Sequence, residues 1–145
     1  MVSFDTNVAY EFFDERSPFH AKACQLFDGF ADDPSVVIAE QMLVELYVLL
    51  RNPVVTRRPP SPAAAVAVIE RFRTNPSWRV VDVPDRRSFM DAVWERVSRP
   101  QFAYRRIYDI RLAQTLTHHG VDTFYTRNVK DFRDVGFARV VDPFA

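Results

Sequence analysis

Short β-type runs alternate with helical patterns along the whole 145-residue chain, and that alternation restricts the fold more than any single motif. Val2-Ser3-Phe4 opens the series. Val36-Val37-Ile38 follows, then Trp78 to Val83, Asp122 to Thr126 and a short edge run from Phe137 to Val141. The second run has no polar alternation, as expected of a strand buried on both faces. Between the runs, Val8, Phe12 and Phe13 keep a helical spacing up to Pro18. Phe19, Ala23, Leu26, Phe27 and Phe30 share one face of a second helix, Phe19 to Ala31. Glu40 to Arg51 is the clearest helix, stopped ahead of Asn52-Pro53 because the residue before proline avoids helical dihedrals. Further helices are expected over Ala63–Arg73, Ser88–Val97 and Asp109–His119, the last closed by Gly120. Strands separated by helices pair in parallel and need covering on both faces. The expected fold is therefore α/β: a three-layer sandwich with a central, mostly parallel sheet of four or five strands, in one domain spanning 1–145. The proline-rich stretch Asn52–Pro62 is read as an exposed loop and Ser98–Arg106 as a basic connection.

Hydrophobic residues make up 48% and aromatics 14%, which excludes a disordered or fibrous chain. Nineteen basic residues balance nineteen acidic ones, which argues against a strongly basic, DNA-coating protein and says nothing about local patches. Cys24 is the single cysteine. No internal disulfide can form, and a reducing cytoplasm is the expected location. Neither a signal peptide nor a membrane-spanning stretch is expected.

Four acids far apart in sequence fall where such a sheet can gather them. Asp5 ends the first strand and opens Asp5-Thr6-Asn7, at the carboxyl edge where open α/β sheets hold ligands. It can equally cap the helix that follows. Glu45 sits on a helix among Met42, Leu46, Val48 and Leu49. A carboxylate on a buried face there needs a metal or an arginine as partner. Glu40 is its competitor, better explained by the helix dipole. Asp109 opens a helix, as an N-cap or beside a phosphate held by the helix N-terminus, with Arg105-Arg106 just ahead. Asp131 follows the turn Arg127-Asn128-Val129-Lys130 and reads either as a solvated loop acid or as the fourth member. Converging carboxylates repel one another, and a divalent cation among them relieves the repulsion. The reading is a metal-dependent nuclease.

Other chemistries fit less well. His20 and Cys24 have helical spacing, but two ligands make a weak metal signal. His118 and His119 suit the negative end of a helix. With only three glycines there is no glycine-rich phosphate loop, and no serine occupies a nucleophile elbow. An aspartyl-phosphate phosphohydrolase would also place Asp5 after its first strand, yet it would want a second Asp where Asn7 stands. A binding module with purely structural acids stays open.

Asp5-Thr6-Asn7, Met42-Leu43-Val44-Glu45-Leu46, Tyr108-Asp109-Ile110-Arg111-Leu112-Ala113 with His119-Gly120-Val121, and Thr126-Arg127-Asn128-Val129-Lys130-Asp131-Phe132 occur in this order. Together they resemble the PIN-domain ribonucleases, and among them the VapC-like toxins of toxin–antitoxin pairs. The resemblance covers nearly the whole chain. It implies a small PIN-like α/β sandwich and RNA cleavage dependent on Mg²⁺ or Mn²⁺, with Asp5, Glu45 and Asp109 as the core catalytic acids and Asp131 as the candidate fourth. Asp5 and Asp109 would hold the metal, while Glu45 and Asp131 bind water or a second ion. Thr6, Asn7, Arg105, Arg106, Thr126, Arg127 and Asn128 would contact substrate, with Lys130 helping to guide RNA. The family often has an acid at the position of Asn128, so here either Asn128 or Asp131 fills the fourth place. A homodimer neutralised by a small VapB-like antitoxin is also implied.

Overall fold

Parallel pairing begins at the N-terminus, in a computed structural model that describes residues 1–145. Strand β1 (Val2–Phe4) pairs with β4 (Thr123–Tyr125), placing Phe4 opposite Tyr125, and β4 pairs with β5 (Arg139–Val141). Strand β2 (Val37–Ala39) pairs with β3 (Arg79–Val81). A single bridge between Val2 and Val36 joins the two ribbons, so the spatial order is β3-β2-β1-β4-β5 with every pair parallel. Such pairs need crossovers, which the helices supply. These are α1 (Thr6–Phe13), α2 (His20–Phe30), α3 (Glu40–Arg51), α4 (Pro62–Arg73), α5 (Arg87–Val97), α6 (Arg106–His118) and α7 (Val129–Phe132). Helices α1 to α4 pack among themselves, as do α5 to α7, which makes the two outer layers of the expected sandwich.

Phenylalanine fills both interfaces. Phe4 is fully buried at the centre of one cluster, with ring centroids of Phe27 at 4.8 Å and Trp78 at 5.6 Å. On the β4–β5 side Phe124 stacks on Phe137 at 4.7 Å and meets Phe132 at 4.8 Å. Large rings pack densely and bury much apolar area per residue, which suits strands only three residues long.

The structure departs from the sequence reading in three places. Helix α6 starts at Arg106, a turn earlier than expected, so Asp109 is its fourth residue and not its cap. Ile107 packs against the core and Ile110 is buried, an i, i+3 pair that carries the apolar stripe back one turn. Asp131 lies on the one-turn helix α7, not in a loop. The proline-rich segment is partly tied down. Thr56 is buried and donates to the Leu49 carbonyl at 2.7 Å, and Arg51 donates to the Pro60 carbonyl at 2.8 Å. Gly120, with φ of +88°, closes α6 in the left-handed region that favours glycine.

Candidate active site

Asp5 is both a helix cap and something more. It is the N-cap of α1, but its Oδ1 accepts from the adjacent Thr6 N–H at 2.8 Å. An ordinary cap bonds the second or third helical N–H. Here Oδ2 turns instead towards β4, accepting from the Thr126 hydroxyl at 2.7 Å and the Asn7 amide at 2.9 Å. Register explains the contact. Phe4 lies opposite Tyr125, and the ladder continues past both strands through Asp5 N–H to the Tyr125 carbonyl at 2.8 Å. The residues one step on, Asp5 and Thr126, are therefore neighbours on the same face.

Glu45 reaches the same edge from α3. Its Oε2 is 3.4 Å from the Thr6 hydroxyl, and its Oε1 accepts from the Gln41 amide at 3.0 Å. Gln41 also donates to the Tyr108 carbonyl at 2.9 Å and accepts from the Arg111 guanidinium. The burial expected around Glu45 holds on one side only. Met42 and Leu46 are buried, whereas Val44 and Val48 are 62% and 56% exposed. Glu45 thus stands at the border of the core, where a partly solvated carboxylate is tolerable. Glu40 is paired with Arg73 at 2.7 Å.

Electrostatics shows the acids converging. Burial pushes the Asp5 carboxyl up from 3.8 to about 6, helped by the charges of Glu45 and Asp109 and opposed by the Thr126 and Thr6 hydrogen bonds. Burial likewise raises Asp109 to about 6, helped by Asp131 and Glu45 and opposed by Arg106. Asp109 faces two acids and is stabilised by no hydrogen bond, unlike Asp5.

The basic residues divide. Arg105 and Lys130 are exposed. Arg106 donates to the Asp131 carbonyl at 3.1 Å, tying α6 to α7. Arg127 is also exposed, and its guanidinium pairs with Glu11 and lies 4.4 Å over the Phe19 ring. Asn128 keeps its side chain free of the α7 cap, while its backbone N–H donates to the Thr126 hydroxyl at 3.0 Å. Two supporting residues went unread in the sequence. Gln41 precedes Glu45 by four residues and Glu11 follows Asn7 by four, in each case one turn away on the same helix face. A search of polar i, i+4 partners of each candidate residue would have found both.

The residues suit a hard divalent cation. All four acids offer carboxylate oxygen, and the buried negative charge at Asp5 and Asp109 is incompletely compensated by the chain itself. No three of them stand close enough to ligate one ion together. That spread suits Mg²⁺, which keeps several waters and takes only one or two carboxylates. A groove of about 340 Å³ adjoins the acids, lined by Glu40, Gln41, Glu45, Asp82, Tyr108 and Arg111. A larger hollow of about 630 Å³ lies elsewhere, lined by Phe12, Phe27, Val68, Phe72 and Trp78 together with His20 and Cys24. His20 Nε2 is 3.5 Å from the Cys24 sulfur. No helix is long and apolar enough to cross a membrane.

Comparison with known proteins bears on this geometry. The PIN domain family matches residues 2–138. Ribonuclease VapC24 of Mycobacterium tuberculosis is 41% identical over 143 residues, covering 99% of this chain and 97% of that protein. Among solved structures, M. tuberculosis VapC20, a toxin that cleaves the sarcin–ricin loop, superposes with a TM-score of 0.71 at 22% identity, covering 94% of this chain and 96% of that one. A toxin–antitoxin complex from Klebsiella pneumoniae matches with a TM-score of 0.58 at 19% identity, covering 99% and 98% of the two chains. The fold, the family match and the full-length match to VapC24 converge: this chain belongs to the PIN domain family and, within it, to the VapC ribonucleases.

Proposed function

We propose that the chain is a ribonuclease dependent on Mg²⁺ or Mn²⁺ and the toxin of a toxin–antitoxin pair, built as one PIN-like domain over 1–145. What supports this reading is that Asp5, Glu45 and Asp109 feel one another's charge at the carboxyl edge of a parallel sheet, with Asp131 beside Asp109, and that Asp5 and Asp109 are raised to about 6, chiefly by burial. Asp5 and Asp109 hold the metal. Bound there, the ion supplies Lewis acidity that offsets charge developing on the phosphate oxygens. Glu45, oriented by Gln41 and Thr6, and Asp131 position water for attack on phosphorus. Exposed Arg105 and Lys130 draw the RNA backbone towards an otherwise repulsive pocket. Thr126, Asn7 and Thr6 act on the acids, and Asn128 is left to face substrate.

The purified protein is expected to cleave RNA with Mg²⁺ or Mn²⁺ and to stop when a chelator is added. Cleavage that persists in chelator removes the metal from the mechanism. Glu40 supplies an internal control, because its charge is already paired with Arg73. Glu40→Gln should cleave RNA within about twofold of wild type, as expected for a half-exposed ion pair on the surface. A large loss would put Glu40 among the working acids.

The toxin role predicts that a small neighbouring protein co-purifies and suppresses cleavage, and that unaccompanied expression arrests growth. Harmless expression of an active nuclease would end the toxin assignment and leave the enzyme standing. A homodimer is the assembly that fits the exposed apolar strip of Val44 and Val48 on α3. Sedimentation of the isolated chain as a monomer at micromolar concentration would dismiss it.

A further inference from the structure

We propose that Glu11 and Arg127 are positioning residues for the reaction: they clasp the turn between β4 and α7 onto α1 and thereby hold the Asp5 carboxylate in place. The inference rests on the nuclease reading of the site, and it assigns Arg127 to the support of that site and not to RNA.

Two successive turns of α1 grip one residue. The backbone N–H of Arg127 donates to the Asn7 side-chain carbonyl at 3.2 Å, and its guanidinium pairs with Glu11. Asn7 and Glu11 are four apart, so they lie on the same helix face, one above the other. Glu11 is only 7% exposed. A carboxylate so buried requires a paired cation, and Arg127 is the single cation bound to it. Phe19 supports the guanidinium from below, with its ring centroid 4.4 Å away. The side chain is 38% exposed, and its Nη1 is the nitrogen committed to Glu11.

The consequence is felt at Asp5. Held by Arg127 at its carbonyl end, the Asn7 amide points its N–H groups at Asp5 Oδ2, at 2.9 Å, and at the Thr126 hydroxyl, at 3.3 Å. Thr126, the residue before Arg127, is fully buried and donates to the same Oδ2 at 2.7 Å. Both side chains that orient Oδ2 are therefore fixed by the one turn that the ion pair clasps. Loosening the clasp leaves the sheet intact and lets Asn7 and Thr126 shift relative to Asp5. Groups that orient a metal-holding side chain in this way commonly change metal affinity or turnover by about ten- to a hundredfold when removed.

The test compares Glu11→Gln, Arg127→Ala and Arg127→Lys with the wild type, each checked for a cooperative melt. Glu11→Gln is the principal variant because it strands no buried charge and leaves Arg127 in place. We expect it to lower kcat on an RNA oligonucleotide by about tenfold or more and to weaken Mn²⁺ binding, read by thermal shift without RNA, by a similar factor. KM and its salt dependence should stay within about twofold of wild type. In metal-free protein, deuterium exchange of the Arg127 amide should accelerate while that of the Phe124 amide does not. Arg127→Lys keeps a charge for Glu11 and should recover part of kcat. The proposal is overturned if Arg127→Ala raises KM and flattens its salt dependence while kcat and Mn²⁺ affinity hold, for that is an RNA contact. It is equally overturned if Glu11→Gln behaves as wild type in kcat, Mn²⁺ binding and exchange. Should wild type cleave no RNA at all, the nuclease reading fails, and Mn²⁺ binding and exchange still decide the clasp.

Discussion

Asp5→Ala is expected to lower RNA cleavage by about a thousandfold, on the order of 4 kcal/mol of transition-state stabilisation, without unfolding the protein. The two effects separate because the desolvation of the Asp5 carboxylate opposes what its hydrogen bonds contribute to stability. Its carboxyl is held at about 6 chiefly by burial, although three hydrogen bonds favour its charged form. A shift of that size corresponds to at most about 3 kcal/mol against the ionised group at neutral pH. Loss of the cap costs about 1 kcal/mol in the other direction. The buried Thr126 hydroxyl and the Asn7 amide also lose their acceptor, at about 1–3 kcal/mol each for a buried unpaired donor, so gain and loss roughly offset and metal-free Asp5→Ala should melt within a few degrees of wild type. Circular dichroism and a melt in chelator, beside a cleavage assay in Mn²⁺, check both halves. A variant that is inactive because it has unfolded, or that stays active while folded, would remove Asp5 from its central place.

Asp109→Asn should abolish stabilisation by Mn²⁺ and, in chelator at pH 8, melt higher than wild type. The sign follows from the direction of the shift. The folded-state pKa of Asp109 is raised to about 6 from 3.8. Its contribution to stability is complete below about pH 4, falls as pH rises through about 6, and is absent at pH 8. Asparagine escapes that loss. The carboxylate is only half-buried, so the gain is discounted for solvent screening to about 1 kcal/mol, or roughly 2–4 °C in a chain of this size. The loss of metal is larger: a ligand at a hundred times its Kd stabilises by about 2.7 kcal/mol. Wild type and variant should therefore cross, the variant melting higher in chelator and lower in saturating Mn²⁺. Curves that keep the same order in both conditions would show that Asp109 does not hold the ion.

Much of this architecture is legible in the order of residues alone. Helix α3 and its stop before Asn52-Pro53, the glycine closing α6 and the buried run Val36-Val37-Ile38 all follow from spacing, proline sterics and periodicity. These act between residues a few positions apart. Asp5 is legible for the same reason, since the change from apolar strand to polar triplet is local. The start of α6 is not, because Asp109 resembles a cap, and only packing of Ile107 against the core reveals the extra turn.

Contacts between distant segments decided the rest. That Thr126 bonds Asp5 depends on the parallel register of β1 and β4, across 121 positions of chain. That Arg127 turns onto Glu11, and that Glu40 belongs to Arg73, depends on which helix faces meet once the layers close. Val48 reads as part of a buried face beside Glu45, yet it and Val44 lie exposed because no element of this chain covers that side of α3. Local steric preference and hydrophobic period can be written along a chain, whereas the partner of a charged side chain is chosen only when burial brings it one.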